Sequence, residues 1–375
     1  MEQNKKIHII SFDNPYPPVY GGIIEVYYKL IALREIGLKI HLHCFVDEIP
    51  ADEIPELKNI VEKLYFYKKK KNIISLFSTL PLSVIIRKSN TLVKRLNEDL
   101  FPVLFESLKT TAVLNDSRLK QRKFYLRLHN IEENYFDGLA KKESNFINKG
   151  LFKIEAKKYS RYKEIFQKTD KIFTISNYET ALLKQLNLKC DFIPVFSGNY
   201  LIKSKAGRGD YCLYHGDLRT SDNQEAVFFL LKAFEKNDDK KLIIASGYLP
   251  NKIKKEIERL KNVNHVLIES NEQLENLIIN AHIHLLFSFQ NSGTKLKIIN
   301  ALFKGRHIVC NRNMIDDEEI LKFCHLVDNE NELIRIVDNL LKEPYVSNEI
   351  RNSYLMEEYC DLKNAKRLQK EISMI

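Results

Sequence analysis

From Tyr211 to Asn311 the chain alternates two kinds of apolar segment at a pitch that few architectures accept. The runs YCLYHG (211–216), KLIIAS (241–246), HVLIES (265–270) and HIHLLFSF (282–289) are short and mostly apolar, as buried strands are. Between them NQEAVFFLLKAF, NKIKKEIERL and NEQLENLIINA carry apolar residues three and four apart, the helical period. Strands that are apolar on both faces need helices on both faces, so this alternation predicts a doubly wound parallel α/β sheet.

The first half reads the same way. KIHIISF (6–12) leads through a Pro-rich loop ending at Tyr20-Gly21-Gly22 into a helix with Ile23, Val26, Tyr27, Leu30 and Ile31 on one face, then into KIHLHCF (39–45), a βαβ unit. Gly21 and Gly22 at that helix start let backbone approach a phosphate or sugar closely, although a turn needing positive φ explains them equally. Further strands are expected at 102–105 and 123–129 and within KIFTISNYET (171–180), which reads as a strand running into an Asn or Ser helix start, with CDFIPVFSGN closing the domain. Parallel sheets hold ligands beyond the carboxyl ends of their strands, which singles out Glu106, His129 and Asn130. At 375 residues two domains are expected. The small, basic segment LIKSKAGRG reads as a linker over 201–209 between a domain over 1–200 and a second domain that begins at 210.

Composition narrows the partners. The net charge of +10 admits nucleic acid, an anionic membrane surface or a phosphorylated small molecule. No zinc-finger spacing or RNA-binding aromatic motif accompanies the charge, so nucleic acid is set aside. Residues 65–90, YFYKKKKNIISLFSTLPLSVIIRKSN, join a lysine run to an apolar stretch. They read either as a peripheral contact with an anionic membrane or as a core-facing helix with a solvated end. No run reaches the ~20 apolar residues of a membrane span, and MEQNKKIHII leads straight into a strand, so a cytoplasmic protein is expected, with peripheral attachment to the inner membrane face as the open alternative. The six cysteines form no CxxC pair and read as buried free thiols.

The segment Ser292–Gly305, SGTKLKIINALFKG, follows the strand HIHLLFSF. A strand passing at once into a helix aims backbone N–H groups and a helix N-terminus at one point, a seat for an anion. Lys295 and Lys297 oppose the helix dipole unless an anion such as a diphosphate shares the place; the alternative is a plain strand-turn-helix with solvated lysines. Together with PYPPVYGGIIEVYYKLIALREIG and LRLHNIEENYF, this segment resembles the retaining glycosyltransferases of family 4, which have the GT-B fold. In that family two glutamates eight positions apart bracket the segment; here Ser292 and Asn300 occupy those positions. The family's phosphate-binding Arg after the first strand of the second domain is replaced by Asp217, with Arg219 two residues on.

The resemblance implies two Rossmann-like domains facing a central cleft, the second over 210–355, and a terminal segment over 356–375 whose helix crosses back to the first domain. It implies transfer of a hexose from a nucleoside-diphosphate sugar to a glycan or lipid-linked acceptor hydroxyl, with retention, in surface-polysaccharide assembly. Gly21, Gly22, Gly247, Glu272, Ser292, Gly293, Thr294, Lys295 and Asn300 would line the donor, with Asn300 on the ribose. Glu106 and Asn130 would face the acceptor, and His129 the donor sugar. Leaving diphosphate charge would be met by Lys297, Arg219 and the helix N-terminus at Gly293, with no metal or other cofactor. Two other readings stay open: a catalytically silent GT-B binding subunit, and a GT-B nucleotide-sugar epimerase.

Overall fold

The computed structural model describes residues 5–71, 75, 77–143, 145–289 and 295–373. The chain forms two compact units, one of residues 1–198 with 361–375 and one of residues 199–360.

The first unit is built on a seven-stranded parallel sheet. Its strands are β1 (Lys6–Ser11), β2 (Lys39–Val46), β3 (Lys63–Lys68), β4 (Val103–Glu106), β5 (Phe124–Leu128), β6 (Lys171–Thr174) and β7 (Cys190–Phe192), in the order β3-β2-β1-β4-β5-β6-β7. The chain winds outward from β1 through β2 to β3, then returns to the other side of β1 as β4. In β1, Ile7 and Ile9 are buried in one core layer and Ile10 in the other, which is why the strand reads as an unbroken apolar run.

Helix α1 (Gly21–Glu35) packs Ile23, Val26, Leu30 and Leu33 into the layer that holds Ile7 and Ile9. After β5 the chain makes a hairpin of α2 (Glu132–Lys142) and α3 (Phe146–Tyr162), held by Phe136 stacked on Tyr159 at 5.6 Å between ring centroids.

In the second unit a six-stranded parallel sheet runs β10-β9-β8-β11-β12-β13. Its strands are β8 (Cys212–His215), β9 (Leu242–Ser246), β10 (Val263–Leu267), β11 (Ile283–Leu286), β12 (His307–Cys310) and β13 (His325–Leu326). Helices α4 (Ser221–Phe234), α5 (Asn271–Asn280) and α6 (Leu296–Lys304) connect strands of this sheet. Gly305 ends α6 where a Cβ would lie 2.1 Å from Nε2 of the buried His284, so any larger residue displaces the histidine.

The last helix, α7 (Asp361–Ser373), belongs to the first unit: Ala365 and Leu368 enter the core of α1, and burying Leu368 contributes about 1.5–3 kcal/mol. The Asp361 carboxylate accepts the backbone N–H groups of Ser197 (3.0 Å) and Gly198 (2.7 Å). Gly198 has φ +80°, and a Cβ there would meet the Tyr28 ring at 2.7 Å, so this junction needs glycine.

Two sequence expectations are corrected. Residues 65–68 lie in the edge strand β3, not in a helix, and two of the lysines beyond it are ion-paired: Lys69 to Asp13 and Asp47 at 3.5 and 3.4 Å, Lys71 to Asp47 at 2.7 Å. Ile73, Ile74 and Leu76 fall outside the described residues. The segment 201–209 is not a free linker, because Lys203 donates its N–H to Phe303 O (2.8 Å) and Gly207 exchanges backbone bonds with Tyr345 (2.9 and 3.0 Å). Among the described residues no helix is long and apolar enough to cross a membrane.

Candidate functional site

Open parallel sheets leave a crevice where the winding reverses, beyond the carboxyl ends of the two strands concerned. In the first unit those strands are β1 and β4, and a buried charge network lies there. Glu106 ends β4, Glu25 and Lys29 lie one turn apart on α1, Arg127 is on β5, and His129 follows β5 directly. Lys29 Nζ donates to Glu106 Oε1 and Oε2 (2.7 and 2.8 Å) and to Glu25 Oε2 (2.8 Å). Arg127 Nε donates to Glu25 Oε1 (2.9 Å), and its other nitrogens reach the carbonyls of Thr174, Ile193 and Pro194. His129 Nε2 lies 3.0 Å from Glu106 Oε2 and 3.5 Å from Glu25 Oε2.

Two carboxylates therefore face two fixed cations. Burial alone would push the Glu25 carboxyl up, but the charges of Lys29, Arg127 and His129 together hold it below the usual carboxylate range. Glu25, Glu106 and His129 place three ligand-type atoms within 4.8 Å of one another, yet the Lys29 ammonium already bonds both carboxylates. The group is thus a neutralised ion-pair network with its cation built in. A second grouping, His8, His41 and Asp99, lies toward the start of β1 and β2. Its His8 is bonded to Asp99 and His43, both at 2.9 Å.

This arrangement corrects one expectation. Glu106 is fully buried and its carboxylate is taken by Lys29 and His129, so it orients His129 rather than facing an acceptor. His129 is buried with Nε2 turned inward, and its ring meets Phe12 edge-on at 5.5 Å. Asn130 beside it is half-buried. Ser107, next to Glu106, holds φ 69° and ψ 154°, a region left mostly to glycine and a form of strain that gathers at functional sites. Gly21 and Gly22 form the first turn of α1, and a Cβ on Gly22 would lie 3.0 Å from the Phe12 ring. Sequence reading passed over Glu25, Lys29 and Arg127. The signal was present: an arginine inside the apolar strand FYLRL has to find a partner if that strand is buried.

In the second unit the winding reverses between β8 and β11. Lys297, the second residue of α6, donates to Asn223 Oδ1 (2.9 Å), Phe287 O (3.2 Å) and Tyr214 OH (3.3 Å), and its ammonium lies 4.8 Å from the Tyr214 ring centroid. No carboxylate pairs with it among the described residues. Desolvation draws its pKa down to about 7, with Asp222 pulling upward and Lys295 adding to the depression. Asp222 instead anchors the chain leaving β11, accepting from Ser288 Oγ and Phe289 N, both at 2.8 Å. His215, at the end of β8, is buried, and neither ring nitrogen has a hydrogen-bond partner among the described residues. Burial first, then the charges of His284, Lys297 and Lys304, hold it well below the ordinary histidine range.

The other expected donor residues are spread around this edge. Arg219, in the loop after β8, is exposed and bound to Asp217 Oδ1 through Nε at 2.8 Å. Lys295 is the N-cap residue of α6, and Asn300 in the same helix accepts from Asn199 Nδ2 at 2.8 Å. Gly247 follows β9 and is exposed. Glu272 lies in the first turn of α5 and lines an open groove of about 400 Å³ with Ser270, Gln273 and Asn276. Ser292, Gly293 and Thr294 lie outside the described residues.

The chain aligns over 99% of its length with sucrose-phosphate synthase of Thermosynechococcus elongatus (96% of that chain, TM-score 0.62, 15% identity). It aligns over 98% with TarM of S. aureus, whose structure holds fondaparinux, alpha-GlcNAc-glycerol and UDP (96% of that chain, TM-score 0.61, 11% identity). The fold is GT-B. UDP-GlcNAc 2-epimerase of Methanocaldococcus jannaschii shares it, with 99% of this chain and 100% of that one covered at TM-score 0.58 and 14% identity. In sequence, the chain is 27% identical over 322 residues to an uncharacterized 44.6 kDa protein in cps region of Klebsiella pneumoniae, covering 81% of this chain and 82% of the relative. No protein-family model matches the chain.

Proposed function

We propose that this GT-B protein transfers a hexose from a nucleoside-diphosphate sugar to an acceptor hydroxyl, with retention, in surface-polysaccharide assembly on the cytoplasmic side of a membrane. The observation that carries the reading is Lys297. It is a desolvated lysine with no carboxylate partner among the described residues, held at the winding reversal of the second sheet, where phosphorylated ligands bind in such folds. An anionic diphosphate supplies the counter-charge that the protein withholds. As the bond to the sugar breaks, charge grows on the leaving phosphate, and a preorganised cation beside it stabilises the transition state more than the ground state.

In this reading Lys297 is the principal catalytic cation and Arg219 an auxiliary one that exchanges Asp217 for phosphate. Lys295, the helix start near Gly293, Ser292 and Thr294 complete the phosphate seat; Asn300 holds the ribose; Gly247 and Glu272 flank the base. His129, fixed by Glu106, contacts the sugar, with Asn130 on the acceptor side and Gly21 and Gly22 allowing close backbone approach. The diphosphate is met by these groups without a metal or another cofactor. The relative in a cps region supports a glycan-assembly setting.

Thermal-shift measurements with UDP, GDP, ADP and CMP, each with and without magnesium, test this. Ligand at ~100 times its Kd stabilises the fold by about 2.7 kcal/mol. A shift with one nucleoside diphosphate, independent of magnesium, is expected. No shift with any would favour a silent binding subunit. The epimerase reading gains from the clustering of Glu25, Glu106 and His129. Incubating UDP-sugar without acceptor separates it, since an epimerase inverts the sugar and a transferase leaves it unconverted.

A further inference from the structure

Helix α3 is apolar on two sides. One side packs inward through Ala156, Tyr159 and Tyr162. The other faces solvent with Phe146 (88% exposed), Ile147 (74%), Leu151 (50%) and Ile154 (53%). Residues 147, 151 and 154 are four and three apart, so they form one stripe along the helix. A single exposed aliphatic side chain needs no explanation, but a continuous stripe marks an interaction surface.

The charges around the stripe say what covers it. Lys153, Lys157 and Arg161 are exposed on the same helix. Its one acid, Glu155, is occupied by the N–H of Leu82 (2.8 Å) and by Lys158 (3.0 Å). That bond also fastens the segment just after Phe77, itself 85% exposed, to α3. A second copy docking through the same stripe would bring lysine against lysine, whereas an anionic headgroup layer brings the opposite charge. Apolar residues on one side with basic residues beside them are the pattern of helices that lie in a bilayer interface.

We propose that α3 docks this protein on an anionic phospholipid bilayer, with Phe146, Ile147, Leu151 and Ile154 entering the acyl boundary and Lys153, Lys157 and Arg161 among the headgroups. The contact expected of residues 65–90 thereby passes to the helix against which Leu82 is held. The α2–α3 hairpin also leaves the sheet at the edge that carries His129, so docking would bring that edge toward a lipid-borne acceptor. This last link rests on the transferase reading; the docking surface does not.

Flotation of the full chain with vesicles, without nucleotide, tests it. Wild-type protein should float with phosphatidylcholine vesicles containing roughly a third phosphatidylglycerol, and should float less as salt screens the charges. The double variant I147D/L151D should lose at least ~10-fold in partitioning, since two aliphatic side chains no longer enter the bilayer. Both positions are exposed, so an unchanged melting temperature and an unchanged nucleotide shift show that folding and the donor site are intact. K153E/K157E should lose binding to anionic vesicles with the apolar stripe kept. Wild-type protein that does not float, or I147D/L151D floating as wild type does, overturns the proposal. So does a wild-type dimer that this double variant converts to monomer, which would make the stripe a self-interface.

Discussion

Lys29 in the first unit has Glu106 at 2.7 Å and Glu25 at 2.8 Å; Lys297 in the second has two neutral side chains and a carbonyl. Both lie where their sheet reverses its winding, and both are largely withdrawn from water. The first ammonium completes a neutral network and is structural in its energetics. The second has only neutral partners, and in the proposed reading a diphosphate would supply the missing counter-charge. Charge balance, more than burial, is what distinguishes the two lysines, and it is the reason the proposed function rests on the second.

Removing each lysine tests the comparison directly. Lys29→Ala leaves Glu25 and Glu106 buried with half their positive charge gone, so stability should fall by about 3–5 kcal/mol in denaturant unfolding. Lys297→Ala removes a desolvated charge and should leave stability unchanged or slightly raised. Its nucleoside-diphosphate shift should shrink, and transfer should fall by ~10²–10³, the usual loss when one transition-state donor is removed. If Lys297→Ala destabilised the protein as much as Lys29→Ala, the contrast between the two units would be wrong.

Acidity sharpens the same contrast. Lys297 is depressed from 10.5 to about 7 in the folded chain. Between those values the unfolded chain binds the proton that the folded chain has released, so this lysine makes stability rise with pH across that window and contributes no slope below it. Donor binding runs the other way. A diphosphate favours the charged form, so the affinity should weaken above about pH 7, by up to tenfold per unit, with proton uptake visible by calorimetry in buffers of different ionisation enthalpy. Lys297→Arg, charged throughout, should flatten that pH dependence.

The two units also differ in what sequence alone reveals. Much of the second follows from its apolar period: NQEAVFFLLKAF, NKIKKEIERL and NEQLENLIINA lie within or just past the ends of helices at 221–234, 251–258 and 271–280, while the strand expected at 265–270 lies earlier, at Val263–Leu267, and the helix Glu330–Lys342 was not read. β3 was missed because KLYFYK is a half-exposed edge strand running into a lysine tract, so its pattern resembles no buried strand. His129 and Lys297 were legible because each stands beside a strand end or a helix start. The network around them was not, because Glu25 and Arg127 are 102 positions apart and Lys29 and Glu106 are 77 apart. Local period cannot report such pairing; only the charged residues in FYLRL and GGIIEVYYKL hinted at it.

The smallest expected effect concerns Arg219, whose exposed guanidinium is held by Asp217. Being exposed, the pair contributes little to stability, and Arg219→Ala should not move the melting temperature. If Arg219 is the second phosphate cation, binding must first break its bond to Asp217, which taxes affinity. Asp217→Asn removes that competition and should tighten nucleoside-diphosphate binding by no more than ~fivefold, while Arg219→Ala should weaken it by a similar factor. The double variant decides between direct contact and general charge. If Arg219 binds phosphate directly, Asp217→Asn should lose its benefit once Arg219 is gone, so the two effects are not additive. If both residues act only through the local field, the effects should add, and direct contact with the phosphate would then fall to Lys297 and Lys295.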